Sequence, residues 1–128
     1  MHGQVDKERV NDTAKLMMHR LVARQLGRDP SLVERAKDSL GRNAEHFRNH
    51  TFIHEWSELL NLPLSEIRHR LICRGDEMTR LRLSSPFVLA EGIDFEDEAL
   101  RRRIWRAAKR IVLRSTANAD TNGSRMTA

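Results

Sequence analysis

The sequence predicts an all-α protein, folded as a single compact bundle of five to six helices with a long basic C-terminal helix. Leu, Arg, Ala and Glu, which all favour helices, are abundant along the chain. Tyrosine is absent, and no run of Val, Ile, Thr and aromatic residues predicts a strand. Apolar residues instead recur at intervals of three and four residues in successive segments, which indicates amphipathic helices.

The domain organisation follows from length and local composition. A chain of 128 residues has the size of one ordinary domain. Residues 1–11 are polar and predict a flexible N-terminus, and residues 12–114 predict a single helical domain. Residues 115–128 are small and polar without an apolar stripe, so we expect a disordered tail.

Turn-forming and capping residues predict where the helices begin and end. Asp12 or Thr13 is the expected N-cap of the first helix. Asp29 is expected to cap the second helix, because the proline after it is tolerated at a first helical position. The third helix is expected to begin near Thr51, and the fourth at a cap provided by Ser65.

The core is predicted from the apolar stripes of these helices. Phe87, after a Ser-Ser-Pro turn at 84–86, is expected to enter the core, with Arg80 and Arg82 exposed beside it. The other expected core residues are Met17, Leu21, Val22, Leu26, Leu32, Val33, Ala36, Leu40, Trp56, Leu59, Leu60, Ile67 and Leu71, with Leu100, Ile104, Ala107, Ala108 and Ile111 in the last helix.

The location of the protein is predicted from what the sequence does not contain. No apolar run approaches the ~20 residues that a membrane-spanning helix needs. The N-terminus has neither the apolar core of a signal peptide nor the composition of a transit peptide. Cys73 is the single cysteine and cannot form an internal disulfide. We therefore expect a cytoplasmic protein that does not enter a membrane.

Positive charge is concentrated near the end of the chain. Residues 101–114 hold seven bases and no acid, whereas the rest of the chain has 16 bases against 18 acids. A tryptophan bordered by arginines is typical of residues that anchor interfaces. A merely solvated helix is the alternative, because acids at its start, such as Glu98, and bases at its end complement the helix dipole. The residues expected to bind a partner are Arg101, Arg102, Trp105, Arg106 and Lys109.

A second interpretation is a DNA-binding transcriptional regulator with a helix-turn-helix motif. Residues 53–72 read as a helix, a short turn and a second helix, which is the layout of that motif. The turn lacks the frequent glycine, and Glu66 near the start of the second helix would repel phosphate. The residues that would contact DNA are Ser65, Arg68, His69, Arg70, Arg103 and Arg110.

An enzymatic interpretation rests only on histidines. His46, His50 and His54 are spaced by four and would share a face on one continuous helix, where they could bind a metal. Asn49 indicates that the helix is interrupted there, which would scatter the ligands. Cys73 is expected to be a buried structural thiol. We therefore expect no metal, no cofactor and no catalytic residues.

The stretch from Glu55 to Phe87, together with the Asp-Pro-Ser-Leu junction at 29–32, resembles a group of short bacterial helical proteins. The shared motifs are Glu55-Trp56, Leu59-Leu60, Pro63-Leu64, Leu71, Arg80-Leu81-Arg82 and Ser84-Ser85-Pro86-Phe87. The resemblance covers about residues 19–105 and excludes the Arg-rich end. Some members of the group look like the smaller partner in two-gene toxin–antitoxin systems, beside a nucleotidyltransferase-like protein.

The resemblance implies a non-enzymatic regulatory protein of antitoxin type, which binds and restrains a toxin-like partner of nucleotidyltransferase type. It carries over no catalytic residue. Antitoxins often bind their own operator as well, so the DNA-binding interpretation stays open beside this one. The sequence also leaves open whether the chain forms a homodimer.

Overall fold

The architecture is given by a computed structural model that describes residues 6–44, 51–87 and 97–127, with side chains described for 6–42, 51–87 and 97–115. In chain order the elements are α1 (Lys7–Arg28), α2 (Leu32–Ala44), α3 (Thr51–Leu60), α4 (Leu64–Leu71), α5 (Asp76–Leu81), a 3₁₀ helix (Arg82–Ser84) and α6 (Glu98–Thr127). No strand occurs in the described ranges. The prediction of an all-α protein with five to six helices is confirmed.

α1 begins earlier than the sequence predicts. Its N-cap is Asp6, whose Oδ1 accepts hydrogen bonds from two backbone N–H groups of the first turn, at 3.0 and 3.4 Å. The expected cap at Asp12 or Thr13 is therefore wrong, and so is the flexible segment from Asp6 onwards. Val10 gives the physical reason, because it is buried in the core and its packing stabilises the extra turns.

α1 is the central helix, since it packs against both α6 and α4. Its buried positions advance in steps of four residues and form one apolar stripe. Met17 lies beside this stripe and is half-buried against the core, as expected, whereas Leu21 is exposed, so its expected core position is wrong. The residues of the stripe are Val10, Ala14, Met18, Val22 and Leu26.

α2 follows the Asp-Pro turn and packs against α3. The Asp29 carboxylate accepts a hydrogen bond from the backbone N–H of Ser31 at 3.2 Å, which fixes the turn that leads into the helix. The helix then continues to Ala44. Its predicted inner face is confirmed at Leu32, Ala36 and Leu40.

Trp56 of α3 lies at the centre of the core and has no exposed surface. Its Nε1 donates hydrogen bonds to the Leu81 carbonyl at 3.1 Å and to Ser84 Oγ at 3.3 Å. Phe87 meets the indole edge-on at 6.2 Å between ring centroids, so the predicted role of the Ser-Ser-Pro-Phe turn is confirmed. The shared core predicted for Trp56, Leu59, Leu60, Ile67 and Leu71 is also confirmed.

α6 extends further than the sequence predicts. Asp97 caps it, with Oδ1 accepting a hydrogen bond from the Ala99 N–H at 2.9 Å. The backbone is helical to Thr127, beyond residue 114 where the predicted helical domain ends. No proline interrupts this segment, and a helix that is already nucleated adds residues at little cost.

Candidate functional site

The described part of α6 separates an inner face from an outer face. Ile104, Ala108 and Val112 follow one another at intervals of four residues and are buried against α1. Val112 takes the core place expected for Ile111, which is exposed. All five residues predicted to bind a partner are exposed, and their spacing of i, i+1, i+4, i+5 and i+8 forms one continuous strip. We call this strip the basic face: Arg101, Arg102, Trp105, Arg106 and Lys109.

Trp105 stands at the border between the two faces of α6. It follows the buried Ile104, and 42% of its surface is exposed. Arg101 and Lys109 lie one helical turn before and after it, so bases border the indole on both sides. The other tryptophan, Trp56, is fully buried. An exposed indole on a rigid helix can supply apolar contact area to a partner, which is how tryptophan anchors interfaces.

The charge of the basic face is only partly neutralised. Arg102 forms an ion pair with Glu98, with 2.7 Å between Nη2 and Oε1. Both side chains are about two-thirds exposed, so water screens the pair and it adds at most a few tenths of a kcal/mol. Arg101, Arg106 and Lys109 form no ion pair with any residue that the structure describes. The face therefore presents positive charge that is available to a partner.

The residues considered for DNA binding are divided between two helices. Arg103 and Arg110 belong to α6, where they line an open groove of about 710 Å³ beside Met17 of α1, together with Arg106 and Lys109 of the basic face. The structure therefore does not gather the six residues on one helix face, although α4 and α6 both pack against α1. The four that belong to α4 are Ser65, Arg68, His69 and Arg70, all of them exposed.

Arg68 is turned back onto α1. Its Nε donates a hydrogen bond to the Ala23 carbonyl at 2.8 Å. Its Nη2 lies 3.0 Å from the position that a Cβ would occupy at Gly27, so the absence of a side chain there gives the guanidinium room. α4 begins at Leu64, one residue before the expected cap Ser65. Arg68 would have to break its hydrogen bond to α1 before it could reach a base in a DNA groove.

The three histidines considered as metal ligands lie only partly inside the described ranges. His46 and His50 lie outside them, and His54 is exposed and pairs with Glu58 at 3.0 Å. Within the residues that the structure describes, no group of three or more His, Cys, Asp and Glu side chains could hold a metal ion. Cys73 is half-buried rather than buried, and its thiol donates to the carbonyl of the residue four positions earlier.

His19 is a buried polar residue that the sequence interpretation missed. Its Nδ1 lies 2.6 Å from the Lys15 carbonyl and its Nε2 lies 2.7 Å from Ser85 Oγ. A carbonyl only accepts, so Nδ1 carries the proton and Nε2 accepts a hydrogen bond from the serine hydroxyl. Burial lowers the pKa of His19 to about 4, so the ring is neutral at pH 7. The available signal was its spacing, because the residues four and seven positions later are buried.

Arg82 is a second buried group, and its predicted exposure is wrong. Only 2% of its surface is exposed, whereas Arg80 is exposed as predicted. Its Nη1 donates to the Leu71 carbonyl at 3.2 Å and to the Cys73 carbonyl at 2.6 Å, which satisfies backbone groups left unpaired where α4 ends. Burial lowers the pKa of this guanidinium. The only sequence signal was its position four residues after the buried Met78.

Comparison with known proteins adds no family to this description. No protein-family model, no curated protein and no solved structure matches the chain. Among the described helices, none has both the length and the apolar character needed to cross a bilayer. The basic face is therefore interpreted from its own chemistry.

Proposed function

We propose that this chain is a non-enzymatic regulatory protein of antitoxin type, which binds a partner protein through the basic face and restrains it. The observation that carries the proposal is the exposure of Trp105 on a helix whose inner face is part of the core. The helix is already ordered by its packing on α1, so little conformational entropy remains to be lost on binding. The partner suggested by the sequence resemblance is a toxin-like protein of nucleotidyltransferase type.

The basic face indicates the chemistry of the partner surface. Arg101 and Lys109 on either side of Trp105 favour an acidic rim, because complementary charges accelerate encounter and orient the docking. The indole itself requires an apolar pocket inside that rim. A second copy of the chain is a poor occupant, since two basic faces would bring like charges together. An acidic groove with an apolar floor on a different protein fits both requirements.

Binding to DNA through α4 is the second candidate function. It is favoured by the exposed Ser65, His69 and Arg70, which follow a short turn after α3. Two observations weigh against it: Arg68 is engaged with α1, and an exposed indole contributes little to contacts with duplex phosphates. The protein partner is therefore the preferred proposal.

The decisive test is a titration of the product of the adjacent gene with variants of the basic face. Trp105→Ala is expected to weaken binding by about 2 kcal/mol or more, roughly 30-fold, as an interface anchor does. The stability of the free protein should fall less than in Trp56→Ala, because 42% of the Trp105 surface is already exposed. The matched control is Leu83→Ala, another apolar residue that is exposed, at 52%, but lies on the 3₁₀ helix. It should bind with unchanged affinity.

The charges are tested separately with Arg102→Ala/Arg106→Ala. This double variant is expected to slow association with the partner, and the slowing should shrink at high salt. Arg24→Ala/Arg42→Ala removes two exposed arginines from α1 and α2 and is the control for net charge. Random duplex DNA is the competing ligand. If the basic-face variants keep full affinity for the partner while Arg102→Ala/Arg106→Ala loses affinity for duplex DNA, the antitoxin-type proposal is wrong and the DNA-binding candidate replaces it.

A further inference from the structure

A second positively charged feature, which contains none of the basic-face residues, is a crevice of about 280 Å³ between α1, the segment 74–82 and α6. Three arginines from different elements line it: Arg20 from α1, Arg74 from the loop after α4, and Arg82 from the 3₁₀ helix. Arg20 and Arg74 are exposed and form its rim, whereas the buried Arg82 forms its floor. We call this feature the arginine crevice.

The floor of the arginine crevice has a charge without a counter-ion. The Nη atoms of Arg82 bind carbonyls at the end of α4 and the hydroxyl of Thr79, at 3.4 Å, and no carboxylate lies within ion-pair distance among the described residues. Its buried Nε has no hydrogen-bond partner in the described part of the chain. Burying a guanidinium in this way is costly, and an anion with several oxygen acceptors would offset the cost.

The positive charges at the rim of the crevice also favour an anion. Arg20 and Arg74 form no ion pair with the residues that the structure describes. Asp12 is the one carboxylate that lines the crevice, so three positive charges face a single negative charge. A ligand with two negative charges would balance the site. The hydroxyl of Thr13, also in the lining, is a further donor for its oxygens.

We propose that the arginine crevice binds a small phosphomonoester. A phosphate group presents three terminal oxygens to arginine side chains, whose planar donors match it, whereas a carboxylate has only two oxygens and one charge. Leu16, Met17 and Ile111 also line the crevice and supply apolar surface beside the arginines, so the esterified group should be small and apolar. The volume and Asp12 at the crevice disfavour the backbone of a nucleic acid.

The proposal is tested by calorimetric titration of the full chain at constant ionic strength with phenyl phosphate, inorganic phosphate and benzoate. We expect one phenyl phosphate per chain, weaker binding of inorganic phosphate, and no saturable binding of benzoate. Arg20→Gln/Arg74→Gln, which leaves the buried Arg82 in place, should weaken the binding of phenyl phosphate about tenfold or more. The control variant Arg24→Gln/Arg28→Gln changes two exposed arginines of α1 outside the crevice lining and should bind phenyl phosphate with unchanged affinity.

Three outcomes would overturn the assignment. Absence of saturable phenyl phosphate binding, or equal loss of affinity in both double variants, would leave Arg82 as a structural cap of α4 alone. Equal binding of benzoate would remove the preference for phosphate. If the unmodified chain does not bind phenyl phosphate and the crevice variant binds duplex DNA more weakly than the unmodified chain, the rim arginines would be assigned to nucleic-acid binding. None of these results depends on the basic face, so the crevice and the proposed partner binding are tested independently.

Discussion

Acidification from pH 6.5 to pH 4 is expected to destabilise the protein through His19. In the unfolded chain this imidazole has the ordinary pKa of 6.5, whereas burial in the fold lowers its pKa to about 4. Above pH 6.5 both states are neutral and His19 adds no pH dependence. Between pH 6.5 and pH 4 only the unfolded chain takes up the proton, so the free energy of unfolding falls by about 1.4 kcal/mol per pH unit. Below pH 4 the loss levels off at about 3 kcal/mol.

The structural cause of this loss is the hydrogen-bond arrangement around the ring. Protonated Nε2 could no longer accept the hydrogen bond from Ser85, whose hydroxyl also accepts from the backbone N–H of Phe87. Protonation would therefore disturb the turn that carries Phe87 into the core. Acid is expected to loosen this side of the core first.

The assay is urea unfolding at pH 7, 6, 5 and 4 for the unmodified protein and for His19→Gln. Carboxylates titrate in both proteins, so their contribution cancels in the difference. The variant should be less stable at pH 7, because it loses packing, and the difference should shrink by about 3 kcal/mol by pH 4. His54→Gln, at an exposed site on α3, is the control and should lose stability on acidification as the unmodified protein does. A stability difference that stays constant with pH would refute the reasoning.

Three further predictions follow from the core, α2 and the histidines. Trp56→Ala should reduce the free energy of unfolding by about 3–5 kcal/mol in urea melts, and a loss under about 1 kcal/mol would place the indole outside the core. Gly41→Ala should raise the free energy of unfolding by about 0.5–1 kcal/mol, because glycine disfavours a helix interior and an added Cβ meets nothing within 4 Å. Thermal melts measure this change, and an unchanged or lower melting temperature would contradict it. Protein purified without an affinity tag should hold no stoichiometric metal by elemental analysis, and one zinc or iron per chain that is lost in His50→Ala would contradict that.

The elements that could be predicted from the sequence are those with local signals at their boundaries. The Asp29-Pro30 pair marks the turn between α1 and α2, but α2 begins only at Leu32 and Asp29 is the C-cap of α1, so its expected role as the N-cap of α2 is wrong. Thr51 starts α3, and the proline at 63 separates α3 from α4. The five residues predicted to bind a partner share one exposed helix side, because residues spaced by one, four and five positions do so wherever the helix packs, and their binding role stays a prediction. Local spacing was sufficient for these features.

The features that could not be predicted depend on contacts between distant parts of the chain. α1 begins at Lys7 because Val10 is buried in a core that distant helices complete, and no capping pattern records that packing. Arg82 is buried because carbonyls left free at the end of α4 require donors, which depends on where α4 ends in space. The arginine crevice could not be predicted for the same reason, since Arg20 on α1 is far in the sequence from Arg74 and Arg82 and meets them only in the fold.

α6 carries the basic face on one side and completes the core on the other, with Ile104 and Val112 packed against α1. A partner that holds the outer side therefore also holds the fold together. A ligand that binds only the folded chain, at a hundredfold excess over its Kd, adds about 2.7 kcal/mol of stability. Detachment of α6 would uncover the apolar stripe of α1 and expose both helices to proteases. For a protein of antitoxin type, the free chain would then be the short-lived form, and its rate of turnover would set how long unbound protein persists in the cell.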